Sequence, residues 1–392
     1  MPSRVGTVPE PAGPHVLMAV EQLRRRVPGG IGAYARGLLS GLNQCAHDGD
    51  EVDVTLLASR LTGTHLGRRA TADPLAEFGR PLTLSRLPGP LLTRAWDHGW
   101  ARPPGRFNIV HSVSLAVPPI RPAHQVRSVV TVHDVAWRRH PEATTVRGSK
   151  WHEAALCRVR DSDASIIVTS KFVAADLMSD GVRAERITIV RGGSDHLVAP
   201  DMAATDALLR RMGVHGEFLL TVSTLEPRKN VDRLLGAHRR LRPSLPGPWP
   251  LVIAGPTGWG PSLPAPEDQE GVVFAGAVPD AVLTGLYTRA RAFAYVPLTE
   301  GYGLPPLEAM GVGTPSVVAN EVPSVHDLGE TSRPPAYIVD PFDVEDIAAG
   351  LAAVLTDDTV RADLATRGVA YARARTWRAA AAGHIALWRS LA

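Results

Sequence analysis

The chain is punctuated by short apolar runs with amphipathic stretches between them, and this alternation restricts the folds open to it more than any other feature. HVLMAV (15–20), VDVTLLA (52–58), FNIVHS (107–112), RSVVTVHD (127–134), SIIVTS (165–170) and ITIVRG (187–192) form a first series. EFLLTVS (217–223), PLVIAG (250–255), GVVFAG (271–276), AFAYVPL (292–298), PSVVAN (315–320) and AYIVD (336–340) form a second. Runs this short and this continuously apolar read as strands of parallel sheets, buried on both faces. The intervening stretches, such as AYARGLLSGLNQCA and KWHEAALCRVRDSDA, carry helical periodicity, so the units are βαβ. Two series in 392 residues predict an α/β chain with two Rossmann-like doubly wound domains, because one core rarely grows that large.

The division is expected near residues 195–205, where Gly, Ser and Pro cluster, giving domains of residues 1–198 and 199–374. The alanine-rich end is expected to be helical, interrupted near Gly368. Residues 60–105, rich in Pro, Gly and Arg and carrying Trp96 and Trp100, read as irregular structure with short helices.

Composition narrows the class further. A hydrophobic fraction of 44% with 5% aromatics argues against disorder and fits an α/β core of Ala, Val and Leu. Cys45 and Cys157 are the two cysteines, too few for a disulfide framework or a four-ligand zinc site, which favours a reducing compartment. The apolar run near the N-terminus is too short for a signal peptide, and no run reaches membrane-spanning length. A cytoplasmic protein is expected, with contact at a membrane surface as an option. A net charge of +3 does not by itself imply nucleic acid. Arginine so dominates the basic residues that lysine occurs only at 150, 171 and 229.

Chemistry is sought beyond the carboxyl ends of the strands, where open parallel sheets bind ligands. LTEGYGLPPLEAM places Glu300 directly after a strand, with Pro305 and Pro306 fitting the first turn of a helix and Glu308 in the same opening region. The backbone of Gly301, Tyr302, Gly303 and Leu304 lies between the two carboxylates. Free amides at a helix start suit a phosphate, and a carboxylate beside them suits a sugar hydroxyl. Alternatively Glu308 merely stabilises its helix N-terminus, worth about 0.3–1 kcal/mol. In TVSTLEPRKNVDRLL, Arg228 and Lys229 stand at another strand end and fit a diphosphate, with Asn230 placed to cap the next helix. RRRVPGGIGAYA holds Gly29 and Gly30 in what reads as a flexible loop. Its Gly30-x-Gly32-x-x-Ala35 spacing is a loose dinucleotide fingerprint, but the glycines stand too far from their strand for a Rossmann oxidoreductase. His133 and Asp134 close the fourth run of the first series, and a lone histidine there is as readily structural as catalytic. Asp161 and Asp163 lie at the sheet's other edge and read as a solvated turn.

Together these stretches resemble the retaining glycosyltransferases of family 4, which have the GT-B fold. EGYGLPPLEAM matches the family's E-x7-E signature through Glu300 and Glu308, LEPRKN its diphosphate-binding Arg/Lys motif, and PGGIGAYARGLL its N-terminal glycine loop. Two departures stand out: RGGSD lacks an asparagine common before the glycine, and YVPLTE is one residue shorter than the frequent form. The resemblance implies two Rossmann-like domains facing across a cleft, with a final helix (375–392) crossing back onto the first domain. It implies a nucleotide-diphosphate sugar as co-substrate, GDP-mannose in the first instance, with no metal or further cofactor. Arg228 and Lys229 would hold the diphosphate and Glu308 the ribose. Glu300 and the amides through Leu304 would face the donor sugar, with His133 as a second catalytic residue, and Gly29 and Gly30 would close over the phosphate. The acceptor would be a cell-envelope glycan, glycolipid or lipid-linked saccharide. A sugar-nucleotide epimerase of the same fold stays open as the alternative.

Overall fold

The computed structural model describes residues 13–25, 27–60, 73–120, 125–247, 249–258, 270–327 and 333–392. The first sheet contains β1 (His15–Ala19), β2 (Asp53–Ser59), β3 (Leu82–Ser85), β4 (Ile109–Ser112), β5 (Arg127–Val132), β6 (Ser165–Val168) and β7 (Ile187–Ile189). Its order is β3-β2-β1-β4-β5-β6-β7, parallel throughout. The second sheet contains β8 (Leu219–Val222), β9 (Leu251–Ala254), β10 (Val272–Gly276), β11 (Ala292–Tyr295), β12 (Ser316–Ala319) and β13 (Tyr337–Val339). It runs β10-β9-β8-β11-β12-β13, again parallel. In each sheet the chain winds outward in one direction, then returns past its starting strand. The reversals fall between β1 and β4 and between β8 and β11. Loops diverge at such points and leave a crevice at the carboxyl edge.

β3 and the Gly89–Asp97 helix occupy part of the segment read as irregular; its residues 61–72 lie outside the described residues. The strand escapes the sequence pattern because it is an edge strand of four half-buried residues between Pro81 and Pro88. Trp96 is buried in that helix, whereas Trp100 beyond it is 73% exposed. A second correction concerns Gly368. It lies inside an unbroken helix, Asp358–Arg373, against the Met310 side chain, and the chain breaks instead at residues 374–376.

The helix Trp377–Leu391 leaves the second sheet and packs on Gly29–His47 of the first domain. Two glycines one helical turn apart make the approach possible. A Cβ at Gly37 would lie 2.0 Å from Trp377 Cε2, and one at Gly41 would lie 2.1 Å from the Trp377 carbonyl oxygen. The indoles of Trp377 and Trp388 are thereby fully buried. Between them stands His384, whose Nδ1–H donates to the Ala380 carbonyl (2.8 Å) while its Nε2 accepts from the Tyr34 hydroxyl (2.8 Å). Burial lowers its pKa to about 4 from an ordinary 6.5. A pKa depressed in the folded state stabilises the fold above the unfolded value, and that contribution is lost as pH falls through the folded value. Unfolding free energy should therefore drop between pH 6.5 and about 4, with His384 contributing on the order of 3 kcal/mol. Urea titrations at pH 7 and pH 4.5 check this, and His384→Gln should flatten the difference between them.

Candidate functional site

The two carboxyl edges face each other across a cavity of about 570 Å³, a volume suited to a nucleotide-sized ligand. All eleven residues singled out in the sequence line it: Gly29, Gly30, His133, Arg228, Lys229, Glu300, Gly301, Tyr302, Gly303, Leu304 and Glu308. Not every one sits as expected. Gly29 and Gly30 are the first turn of the Gly29–His47 helix, with Pro28 before them, and belong to no flexible loop. Their exposed backbone still opens onto the cavity.

Burial of a carboxylate organises the second domain's wall. Glu300 is 8% exposed, and its Oε1 takes Arg228 Nη1 at 3.0 Å, the Tyr295 hydroxyl at 2.8 Å and Lys229 Nζ. Burial pushes its pKa up, but Arg228 and Lys229 outweigh that and hold it at about 2. Glu300 is therefore ionised throughout the neutral range and supplies charge there, not a proton. Arg228 also donates to the Thr299 carbonyl (3.0 Å) and to Glu226 (2.9 Å), and Lys229 to the Tyr295 hydroxyl (2.9 Å). Asn230 does not cap the following helix. It adopts the left-handed conformation (φ 58°), and its amide donates to the carbonyls of Val296 (2.9 Å) and Pro341 (2.7 Å). That bracing fixes the turn that presents the two cations.

Glu308 lies in the Leu304–Gly311 helix, whose first turn includes both prolines. Pro305 and Pro306 have no N–H, so the anion-binding capacity of this helix start rests on Leu304 and the loop before it. Among the described residues, the amides of Gly301, Tyr302, Gly303 and Leu304 have no acceptor. Glu308 is also buried, and both its oxygens are engaged: Oε2 by the Tyr287 hydroxyl (2.8 Å) and Oε1 by His196 Nε2 (3.0 Å). The Tyr302 hydroxyl donates to the Gly192 carbonyl (2.9 Å).

From the first domain, His133 donates through Nε2–H to the Val113 carbonyl (2.8 Å) and stacks edge-on against Tyr34. Burial lowers its pKa, opposed by that bond and by Asp134. The ring is neutral at pH 7, with Nδ1 left as an acceptor.

Residues 214–373 match the family model of the glycosyl transferases group 1, and residues 28–198 match that of glycosyltransferase family 4. The chain belongs to glycosyltransferase family 4. It is similar to O-antigen chain mannosyltransferase B of Escherichia coli, at 29% identity over 377 residues, 92% of this chain and 96% of that one. A glycogen synthase of Mycobacterium tuberculosis is 27% identical over 379 residues, covering 87% of this chain and 86% of its own. Among solved structures, Anabaena HepE in complex with UDP and glucose aligns with a TM-score of 0.67 at 16% identity, over 96% of this chain and all of that one (100%). WaaG, a glycosyltransferase involved in lipopolysaccharide biosynthesis, aligns at 0.66 and 16%, over 95% and 99%. These likenesses establish the GT-B fold.

In this glycosyltransferase the domains touch along one rim of the cleft. Ser170 and Thr169 hydroxyls donate to the Gly301 carbonyl at 2.8 and 3.4 Å. Asp327 of the second domain accepts the amides of Lys171 (2.9 Å) and Phe172 (3.2 Å), capping the Lys171–Ser179 helix of the first. Sequence reasoning missed Tyr287, His196 and Asp327, since each acts through a partner distant in the chain, and Tyr295, whose buried hydroxyl binds Glu300 five residues on. Gly301 is the tightest contact, because a Cβ there would lie 1.7 Å from the His133 carbonyl oxygen across the cleft. Gly301→Ala should force the domains apart. Small-angle scattering should show a larger radius of gyration than wild type, with unchanged far-ultraviolet circular dichroism.

Proposed function

We propose that the protein is a retaining hexosyltransferase moving mannose from GDP-mannose to a cell-envelope glycan, glycolipid or lipid-linked saccharide. The observation that carries this reading is one cavity holding two cations, a run of unpaired amides and two buried carboxylates. Arg228 and Lys229 bind the diphosphate, Glu308 the ribose, and the amides from Gly301 to Leu304 the charge that gathers on the departing phosphate. Glu300 faces the donor sugar and His133 Nδ1 accepts one of its hydroxyls. The Escherichia coli relative, named for mannosyl transfer to an O-antigen chain, supports the sugar and the acceptor class. Asp280, at the cavity end formed beyond β10, supports the base, since a carboxylate can accept two of guanine's N–H groups.

The test is incubation with GDP-mannose, UDP-glucose, UDP-N-acetylglucosamine and dTDP-rhamnose, with and without a saccharide acceptor, followed by product analysis. Acceptor-dependent release of GDP is expected, whereas conversion of the sugar nucleotide without acceptor would identify an epimerase. Lys229→Ala should weaken nucleoside-diphosphate binding by roughly 1.5–3 kcal/mol and leave free nucleoside unaffected. Glu308→Gln should mainly raise the donor KM, and Glu300→Gln should mainly lower kcat, because charge develops at the sugar only during transfer.

A membrane-borne acceptor is supported by one surface. Leu91 (54% exposed) and Trp100 (73%) share one stretch of the first domain with the exposed Arg86, Arg94, Arg102 and Arg106. No helix of the described residues is long and apolar enough to cross a membrane; the contact proposed here is a peripheral one. Sedimentation with anionic vesicles at low salt should carry the protein down, and Trp100→Ser should reduce the bound fraction.

A further inference from the structure

Glu308 owes its orientation to residues outside its own domain's sheet. His196 lies in the chain crossing between β7 and the Met202–Arg211 helix, and Trp377 opens the helix that crosses back. The two crossings are tied to each other: the Trp377 amide donates to Asp195 Oδ1 (2.7 Å) and the Ser194 amide to the Arg375 carbonyl (3.0 Å). Within this knot the Trp377 indole N–H donates to His196 Nδ1 (2.9 Å), and His196 Nε2 meets Glu308 Oε1 (3.0 Å).

An indole N–H can only donate, so His196 Nδ1 must accept and the ring's proton must sit on Nε2. That is the one neutral tautomer able to donate to Glu308. The opposite tautomer would set a lone pair against the carboxylate. Tyr287 holds the second oxygen, so each oxygen is pinned by one donor and keeps a lone pair for the cavity. Trp377 cannot drift, because the Gly37 and Gly41 notch of the first domain encloses it. His196 itself is a poor candidate for direct contact, since both of its nitrogens are already occupied and its side chain is 19% exposed.

We infer that His196 is a positioning residue for ribose recognition, the middle link of a Trp377–His196–Glu308 relay that aims the Glu308 carboxylate into the donor site. The inference rests on the proposed nucleotide-sugar reading and adds the residues that enforce it. The relay crosses from one domain to the other, so the donor carboxylate is set by the same knot that sets the domains' relative placement.

The probes are GDP and UDP with their 2′,3′-dideoxy forms, titrated calorimetrically into wild type, His196→Leu, His196→Gln and Trp377→Phe. Wild type should prefer the ribonucleotide by roughly tenfold or more, the discrimination of a charge-assisted hydrogen bond. His196→Leu should bring that preference close to one, and His196→Gln, whose amide can still donate to Glu308, should restore most of it. Trp377→Phe, which keeps an aromatic ring but removes the N–H that fixes the tautomer, should fall between. Full ribose preference in His196→Leu, or in Trp377→Phe if the leucine variant fails to fold, overturns the relay. Equal binding of ribo- and dideoxynucleotide by wild type overturns the Glu308 assignment instead, and no nucleotide binding at all overturns the proposed function.

Discussion

A carboxylate removed from water has to be compensated, and Glu300 shows how that requirement shapes a whole wall of the cleft. An isolated buried charge would shift its pKa upward and neutralise. Arg228, Lys229 and the Tyr295 hydroxyl prevent this, and in doing so they become fixed around a single oxygen. The cations gain as much as the carboxylate does. Without Glu300 they would face one another across a few ångströms in a partly dry pocket, with only Glu226 and Asp134 near Arg228. The cluster is thus an anion site that already contains one anion. On the proposed reading, an incoming diphosphate would meet donors already in place, so little reorganisation would be needed on binding.

Placing that cluster opposite the first domain depends on a different constraint, the close passage of Trp377 over two glycines. The chain crosses between domains twice, and both crossings converge on this indole. Its ring is packed by the first domain, its amide is capped by Asp195, and its N–H reaches His196. The cleft's geometry therefore descends from apolar packing remote from the ligand. Polar contacts at the rim, Gly301 with Ser170 and Asp327 with the Lys171–Ser179 helix, then close what the knot aligns.

The sequence makes much of this legible because the constraints are local. Buried parallel strands must be continuously apolar, and ligand loops must follow them, so Arg228, Lys229, Glu300 and Glu308 could be placed on one edge without coordinates. Family resemblance supplied the expectation of a returning helix, but not its mechanism. What escaped the sequence is non-local or geometrically ambiguous. The edge strand Leu82–Ser85 is too short for its periodicity to register. Asn230 looks like a cap because asparagine often is one, yet here the left-handed backbone and two distant carbonyls decide its role. The pairing of His196 with Trp377 spans 181 positions, and no spacing rule reaches across that distance.

The proton balance of the proposed transfer follows from how these groups are held. An acceptor hydroxyl must lose a proton as it attacks the sugar. Glu300, at a pKa of about 2, is too weak a base, because the cations that keep it ionised stabilise the carboxylate over its protonated form. Glu308 has both oxygens engaged by donors, His196 and Tyr287. His133 is neutral with a free Nδ1, but the burial that keeps it so also lowers its basicity. The departing diphosphate differs from all three. A terminal phosphate oxygen has a pKa near about 6, so it is roughly four orders of magnitude more basic than Glu300. It also leaves from the carbon being attacked. On the proposed reading the protein has no need of a dedicated base. Its task is to hold the leaving oxygen on the acceptor's side of the sugar, which would place attack and departure on one face and conserve the anomeric configuration.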